Sequence, residues 1–105
     1  MKPYPVRIPL LVQSQIRDQI LFIAKDSIDN ALAWEERLRK AIEEIGAMPG
    51  THPIEQMASV RLGESVRRMV FEGTYLVFYR VDENQGFVDI LNFRHGARLP
   101  KAGEL

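Results

Sequence analysis

The stretch "NFRHGARLP" (residues 92–100) sets Arg94, His95 and Arg98 around a glycine with no acidic residue among them. It follows the apolar run "FVDIL", which reads as a β-strand. A solvated tail would mix its signs, so the pattern predicts a cationic rim at the end of a sheet. An imidazole titrates near neutrality and can take or give a proton. Guanidinium groups can instead grip an acidic partner surface. The plainer reading of His95 is a hydrogen-bonding residue at a strand end. Arg67 and Arg68, in "SVRRMVFE", alternate faces, so only one of them can join a given site.

These residues need a scaffold, and composition bounds it. A chain of 105 residues predicts one domain over residues 1–105. An apolar content of 46% is too high for a disordered chain. No run approaches the roughly 18 apolar residues of a membrane span. The early prolines of "MKPYPVRIPLLV" argue against a signal peptide. Without cysteine there is neither a disulfide nor a Cys-ligated metal, which suits a reducing cytoplasm. Seven basic and seven acidic residues fall in residues 1–50, and seven of each again in 51–105. Nucleic-acid binders usually carry a net basic footprint, so direct nucleic-acid binding by the chain alone is not expected.

The elements follow from periodicity. "YPVRI" (residues 4–8) alternates as a short strand, with Pro5 marking an edge or a start. From Leu10 to Ala24, Val12, Ile16, Ile20 and Ile23 recur at helical spacing. Asp26 or Ser27 can cap a second helix running to about Ile45, and Gly46 fits its C-cap. Glu35 with Arg39 and Glu36 with Lys40 would pair along its polar face. So short a link predicts an antiparallel helix hairpin. Residues 46–65 are irregular, with room for a helical turn or a functional loop. The period then becomes two. "SVRRMVFE", "TYLVFYRV" and "FVDILNF" read as three strands, joined by a tight "EG" turn and a longer "DENQG" turn. The middle strand is apolar on both faces and should be central. The order is β-α-α-β-β-β, an α+β fold with an antiparallel sheet packed against an N-terminal helix hairpin.

Three stretches in this order, "FIAKDSIDNALAWEERLRKAIEEIGAMPGTHP", "RRMVFEGTYLVFYRV" and "VDILNFRHGAR", resemble the RelE/ParE superfamily of bacterial type II toxins. The resemblance covers about residues 4–98. It implies a small cytoplasmic toxin neutralised by a cognate antitoxin in a toxin–antitoxin hetero-oligomer. RelE-like members cut messenger RNA on the ribosome; ParE-like members inhibit DNA gyrase and are not nucleases.

Cleavage by a 2′-hydroxyl needs a base, an acid and cations for the phosphorane charge. RelE-like enzymes supply these with an Arg and Lys cluster on the sheet and a C-terminal Tyr or His–Tyr pair. Here no Tyr follows Phe93, and Leu76 stands where such enzymes carry an Arg. The resemblance therefore favours the ParE-like, gyrase-binding branch over a ribonuclease or a degenerate, non-toxic member. It implies no catalytic residue. The expected target-binding residues are Arg67, Arg94, His95 and Arg98. Trp34, offset on the second helix, is expected at the core edge or, as Trp is enriched in hot spots, in contact with the antitoxin together with Leu38. An open sheet edge is a second route for the antitoxin, by strand addition. No cofactor is implied, and His52 has no partner at metal-ligand spacing. Nothing resembles a nucleophile motif, a P-loop or a dinucleotide fingerprint.

Overall fold

Pro9 accepts the first helical hydrogen bond, from Gln13 N–H at 3.0 Å, and α1 (Leu10–Ala24) follows. Its Val12, Ile16, Ile20 and Ile23 stripe faces the core. The Ser27 hydroxyl accepts Asn30 N–H at 3.1 Å and so caps α2 (Ile28–Ala47). Asp29 in the first turn complements the macrodipole. On the polar face Arg39 pairs with Glu36 and Glu43 rather than with Glu35. The computed structural model describes residues 3–101 and 104–105.

α2 does not end at Gly46. Gly46 lies inside the helix, where its oxygen accepts Tyr4 N–H at 2.8 Å. A Cβ there would stand 2.4 Å from Tyr4 O and 2.9 Å from the Val6 side chain. The glycine is needed for close approach of the N-terminal segment, not for a left-handed cap.

The irregular segment contains a 3₁₀ turn (Pro49–Thr51) and α3 (Gln56–Leu62), which ends at Gly63 with φ +69°. Three strands follow: β2 (Arg67–Phe71), β3 (Tyr75–Asp82) and β4 (Phe87–His95). Phe71 pairs with Tyr75, so Glu72, Gly73 and Thr74 make the turn between β2 and β3, and Glu72 and Gly73 both have positive φ, 52° and 67°.

The sheet order is β1-β4-β3-β2, with β1 (Val6–Arg7). β2, β3 and β4 are antiparallel as expected, and β3 is central. β1 differs: it joins β4 in parallel, Val6 opposite Val88. Two residues are too few for a pattern to reveal direction.

One face of the sheet packs on the helix hairpin. Met69, Phe71, Val77, Tyr79, Val88, Ile90 and Phe93 meet Val12, Trp34, Leu38, Ile42 and Ile45 there. The other face carries a smaller cluster in which Ala58 of α3 meets Val66 and Phe78, edged by Leu76, Leu91 and Leu105. A bulge opposite Phe78 and Tyr79 pairs these with Asn92 and Ile90, leaving Leu91 extra. The extra residue inverts the alternation beyond it. Phe93 and His95 therefore turn toward the helices, and Arg94 turns to the far face.

Candidate functional site

The bulge in β4 decides where its last side chains go. Arg94 pairs across the sheet with Leu76, on the face away from the hairpin. Its guanidinium lies over the Phe78 ring, 5.7 Å from the centroid. Its Nε donates to Leu105 O and its Nη1 to Arg98 O, each at 2.8 Å. His95, one residue on, lies against the edge of Tyr75 with ring centroids 5.4 Å apart. Its Nδ1 accepts Ala97 N–H at 3.1 Å, the ordinary arrangement of a strand-end histidine. Gly96 lets β4 pass close to the β2–β3 turn: its N–H donates to Thr74 O at 2.7 Å, and a Cβ would stand 3.0 Å from that oxygen. Arg98 pairs with Glu104 at 3.5 Å.

Arg94, His95 and Arg98 thus border one cleft of about 310 Å³, between α1 and the end of β4. Gln15, Gln19 and Phe22 form its α1 wall, and Asp18, Lys101 and Glu104 add charge. Gln15 clamps the edge of β4: its Oε1 accepts Phe93 N–H at 2.9 Å, and its Nε2 donates to Asn92 Oδ1 at 2.6 Å. Gln19 donates to the Tyr75 hydroxyl at 3.0 Å. Burial and then the Glu72 charge push that phenol upward, so it is a poor proton source at neutral pH. Glu104 is held below the usual carboxylate range, first by the Lys101 N–H bond and then by the charge of Arg98.

Arg67 does not join this cleft. It stands opposite Tyr79, on the hairpin side of β2, and its Nη1 donates to His52 O at 2.6 Å. There it latches the loop beneath the Tyr79 hydroxyl, which donates to Pro49 O at 2.6 Å. Its neighbour Arg68 takes the far face with Arg94, in a recess of about 200 Å³. Arg68 is paired there with Glu55 at 3.4 Å. Alternation along the strand showed that the two arginines must part. The face of each is set by Met69 and Phe71, whose burial under the helices carries Arg67 with them.

Trp34 and Leu38 are only 3% and 2% exposed. Trp34 is a core residue, not an edge one. Its indole meets Phe71, Tyr75 and Phe93 edge-on, with centroids 5.9, 5.2 and 5.9 Å away. It therefore offers no surface to an antitoxin while the core is closed. Leu38 lines a groove of about 800 Å³ whose apolar wall is Tyr4, Val6, Ile8, Ile16, Leu32 and Ile42 and whose charged rim is Glu35, Glu36, Arg39 and Glu43. Ile28 and Leu32 are the large exposed apolar residues of α2. The outer edge of β2 is partly covered, since Glu55 N–H donates to Val66 O at 2.7 Å and Arg68 N–H to Pro53 O at 3.0 Å.

Among the described residues, no three His, Asp or Glu side chains gather at a metal-binding spacing. No helix among them is long and apolar enough to cross a membrane. A family model described as the ParE toxin of type II toxin-antitoxin system, parDE, matches residues 6–100. A comparison with curated proteins finds no match. The matched span begins at β1 and runs past Arg94, His95 and Arg98, so it takes in the scaffold and those three side chains together, and on that footing the chain belongs to the ParE toxin family of type II toxin–antitoxin systems.

Proposed function

We propose that the chain is a cytoplasmic toxin that binds DNA gyrase and stalls it, without covalent chemistry of its own, until a cognate antitoxin removes it. Family membership implies the antitoxin. The choice of gyrase over ribosome-bound messenger rests on one observation. The cations at the end of β4 are already committed to oxygens of the chain itself. Arg94 holds the Leu105 and Arg98 oxygens, and Arg98 faces Glu104. His95 turns to the other face of the sheet beside Tyr75. A phosphorane needs unspent cations converging with an acid and a base. A protein target needs only a shaped, charged rim. Arg94, His95 and Arg98 form that rim. Arg67 supports the fold behind it by holding the loop at His52.

The antitoxin would lie along the groove lined by Leu38, over Ile28 and Leu32, with Trp34 stiffening the core beneath. The complex is then a hetero-oligomer in which α2 is covered.

The test is a supercoiling assay with purified gyrase. Added toxin should abolish supercoiling and leave cleaved DNA trapped on the enzyme, and Arg94→Ala with Arg98→Ala should restore supercoiling. Cut messenger on the ribosome, with gyrase unaffected, would overturn this reading in favour of a RelE-like ribonuclease.

A further inference from the structure

Glu104 and Leu105 are bound as a ligand would be. The Glu104 carboxylate accepts Gln15 Nε2 at 2.9 Å and Lys101 N–H at 2.8 Å, and it faces Arg98 at 3.5 Å. Arg61 of α3 donates to Glu104 O at 3.1 Å. Leu105 O accepts from Arg94 Nε at 2.8 Å and from Asn92 Nδ2 at 3.2 Å. The Leu105 side chain packs against the cluster of Ala58, Val66 and Phe78, as Leu76 and Leu91 do. The receptor groups come from α1, α3, β4 and the turn after it. Asn92 among them is a buried polar residue, 2% exposed, whose amide is divided between Gln15 and Leu105. Buried polar groups are placed where their hydrogen bonds are met. Here they are met by two residues at the far end of the sequence.

The fit is partial. The neighbouring cleft of about 310 Å³, beside Gln19, Phe22 and His95, stays open. The Arg98–Glu104 pair is long and part-exposed, and such pairs contribute little. A longer segment with the same anchor chemistry would keep the anchors and fill the open cleft as well. Asp18 on its rim disfavours a second carboxylate there, so the added residues should be neutral or basic.

We infer that this surface is a docking site for a partner protein's segment in which a carboxylate residue precedes a branched aliphatic one, and that Glu104 and Leu105 fill it in the free chain as an internal stand-in. The partner's carboxylate takes the place of Glu104 between Gln15 and Arg98. Its aliphatic residue takes the place of Leu105 against Phe78. Binding therefore releases the chain's own residues, and the two segments compete. The inference goes beyond gyrase inhibition and needs no gyrase in its test, so either reading can fail alone.

The probe is a fluorescein-labelled peptide Lys-Ala-Gly-Glu-Leu, titrated by anisotropy against the full chain and its Glu104→Ala, Leu105→Ala double variant. A stand-in that occupies the site nearly all the time lowers apparent affinity by the vacant fraction, so the double variant should bind about tenfold tighter. Replacing Glu by Gln in the peptide should weaken binding to that variant several-fold. Equal binding to both proteins, no binding to the folded variant, or indifference to the Gln peptide would overturn the inference. Should the variant fail to fold, methyl NMR of the unchanged chain decides. Excess peptide should shift the Leu105 methyl signals toward exposed values; unmoved signals at peptide saturation refute the competition.

Discussion

The two faces of this sheet solve opposite problems. Under the helix hairpin the contacts are aromatic and aliphatic. Trp34 sits among Phe71, Tyr75 and Phe93, and Tyr75 stacks on Phe93 with 5.5 Å between centroids. The far face sets paired charges around the small apolar cluster of Ala58, Val66 and Phe78. Asp89 bridges Arg7 and Arg80, Arg80 also reaches Glu64, and Arg68 meets Glu55. Apolar burial stabilises in proportion to the area removed from water. Half-exposed ion pairs contribute far less, and their side chains keep their reach. The first face therefore holds the molecule together, while the second can be reorganised by a partner at small cost.

The largest expected effect breaks the first face. Trp34→Ala should cost about 3–5 kcal/mol, the range for deleting a buried aromatic. That is a large part of a small domain's stability, and denaturant unfolding should show it as a lower midpoint. Trp34→Phe should cost much less. It keeps a ring against Phe71 and Tyr75 and removes the indole N–H, which is buried without a hydrogen-bond partner among the described residues. A Trp34→Ala protein as stable as the parent would mean that the aromatic cluster is not the core's anchor.

A smaller effect is expected at the seam between the hairpin and β1. Gly46→Ala puts a methyl group 2.4 Å from Tyr4 O. The N-terminal segment must shift, at roughly 1–3 kcal/mol by the usual scale of overpacking. Hydrogen exchange should report it as faster exchange of the Tyr4 and Val88 amides, which donate to Gly46 O and Pro5 O. Unchanged protection at both would show that β1 is not held through Gly46.

The same seam shows what sequence can carry. Period and caps gave the hairpin, the central strand and the "EG" turn, because each is a local pattern: Ser27 at an N-cap, positive φ at Glu72 and Gly73, apolar residues on both faces of β3. What sequence left hidden depends on distant partners. Gly46 reads as a helix stop until Tyr4 is seen against it. The direction of β1 rests on two residues. For the site, Arg94, His95 and Arg98 were legible as a group, and they do share a cleft. Arg67 was misplaced because alternation separates it from Arg68 without saying which face each takes. The bulge at Leu91 has no glycine or proline to announce it, yet it aims Arg94. The role of Glu104 and Leu105 becomes visible only once Gln15, some 90 positions earlier, is beside them.

The smallest effect tests the charged face and depends on pH. Asp89 is held below its ordinary 3.8, first by the hydrogen bond from Arg7 and, against the cost of burial, by Arg80 as well. A carboxyl with a depressed folded pKa stabilises the fold at every pH above its unfolded value. That contribution fades as pH falls through the unfolded value and is gone below the folded one. At neutral pH, Asp89→Asn should therefore cost about 1–2 kcal/mol, at the low end because both arginines are more than a third exposed and screened. The parent chain should lose that advantage on acidification while the variant does not, so their urea midpoints should converge between pH 4 and the acid limit of the parent's fold. A gap that persists at low pH would mean Asp89 acts by shape rather than charge. A gap absent even at neutral pH would mean the arginines find other acceptors, such as Glu64 for Arg80, and that the far face is more adaptable still than its bonding suggests.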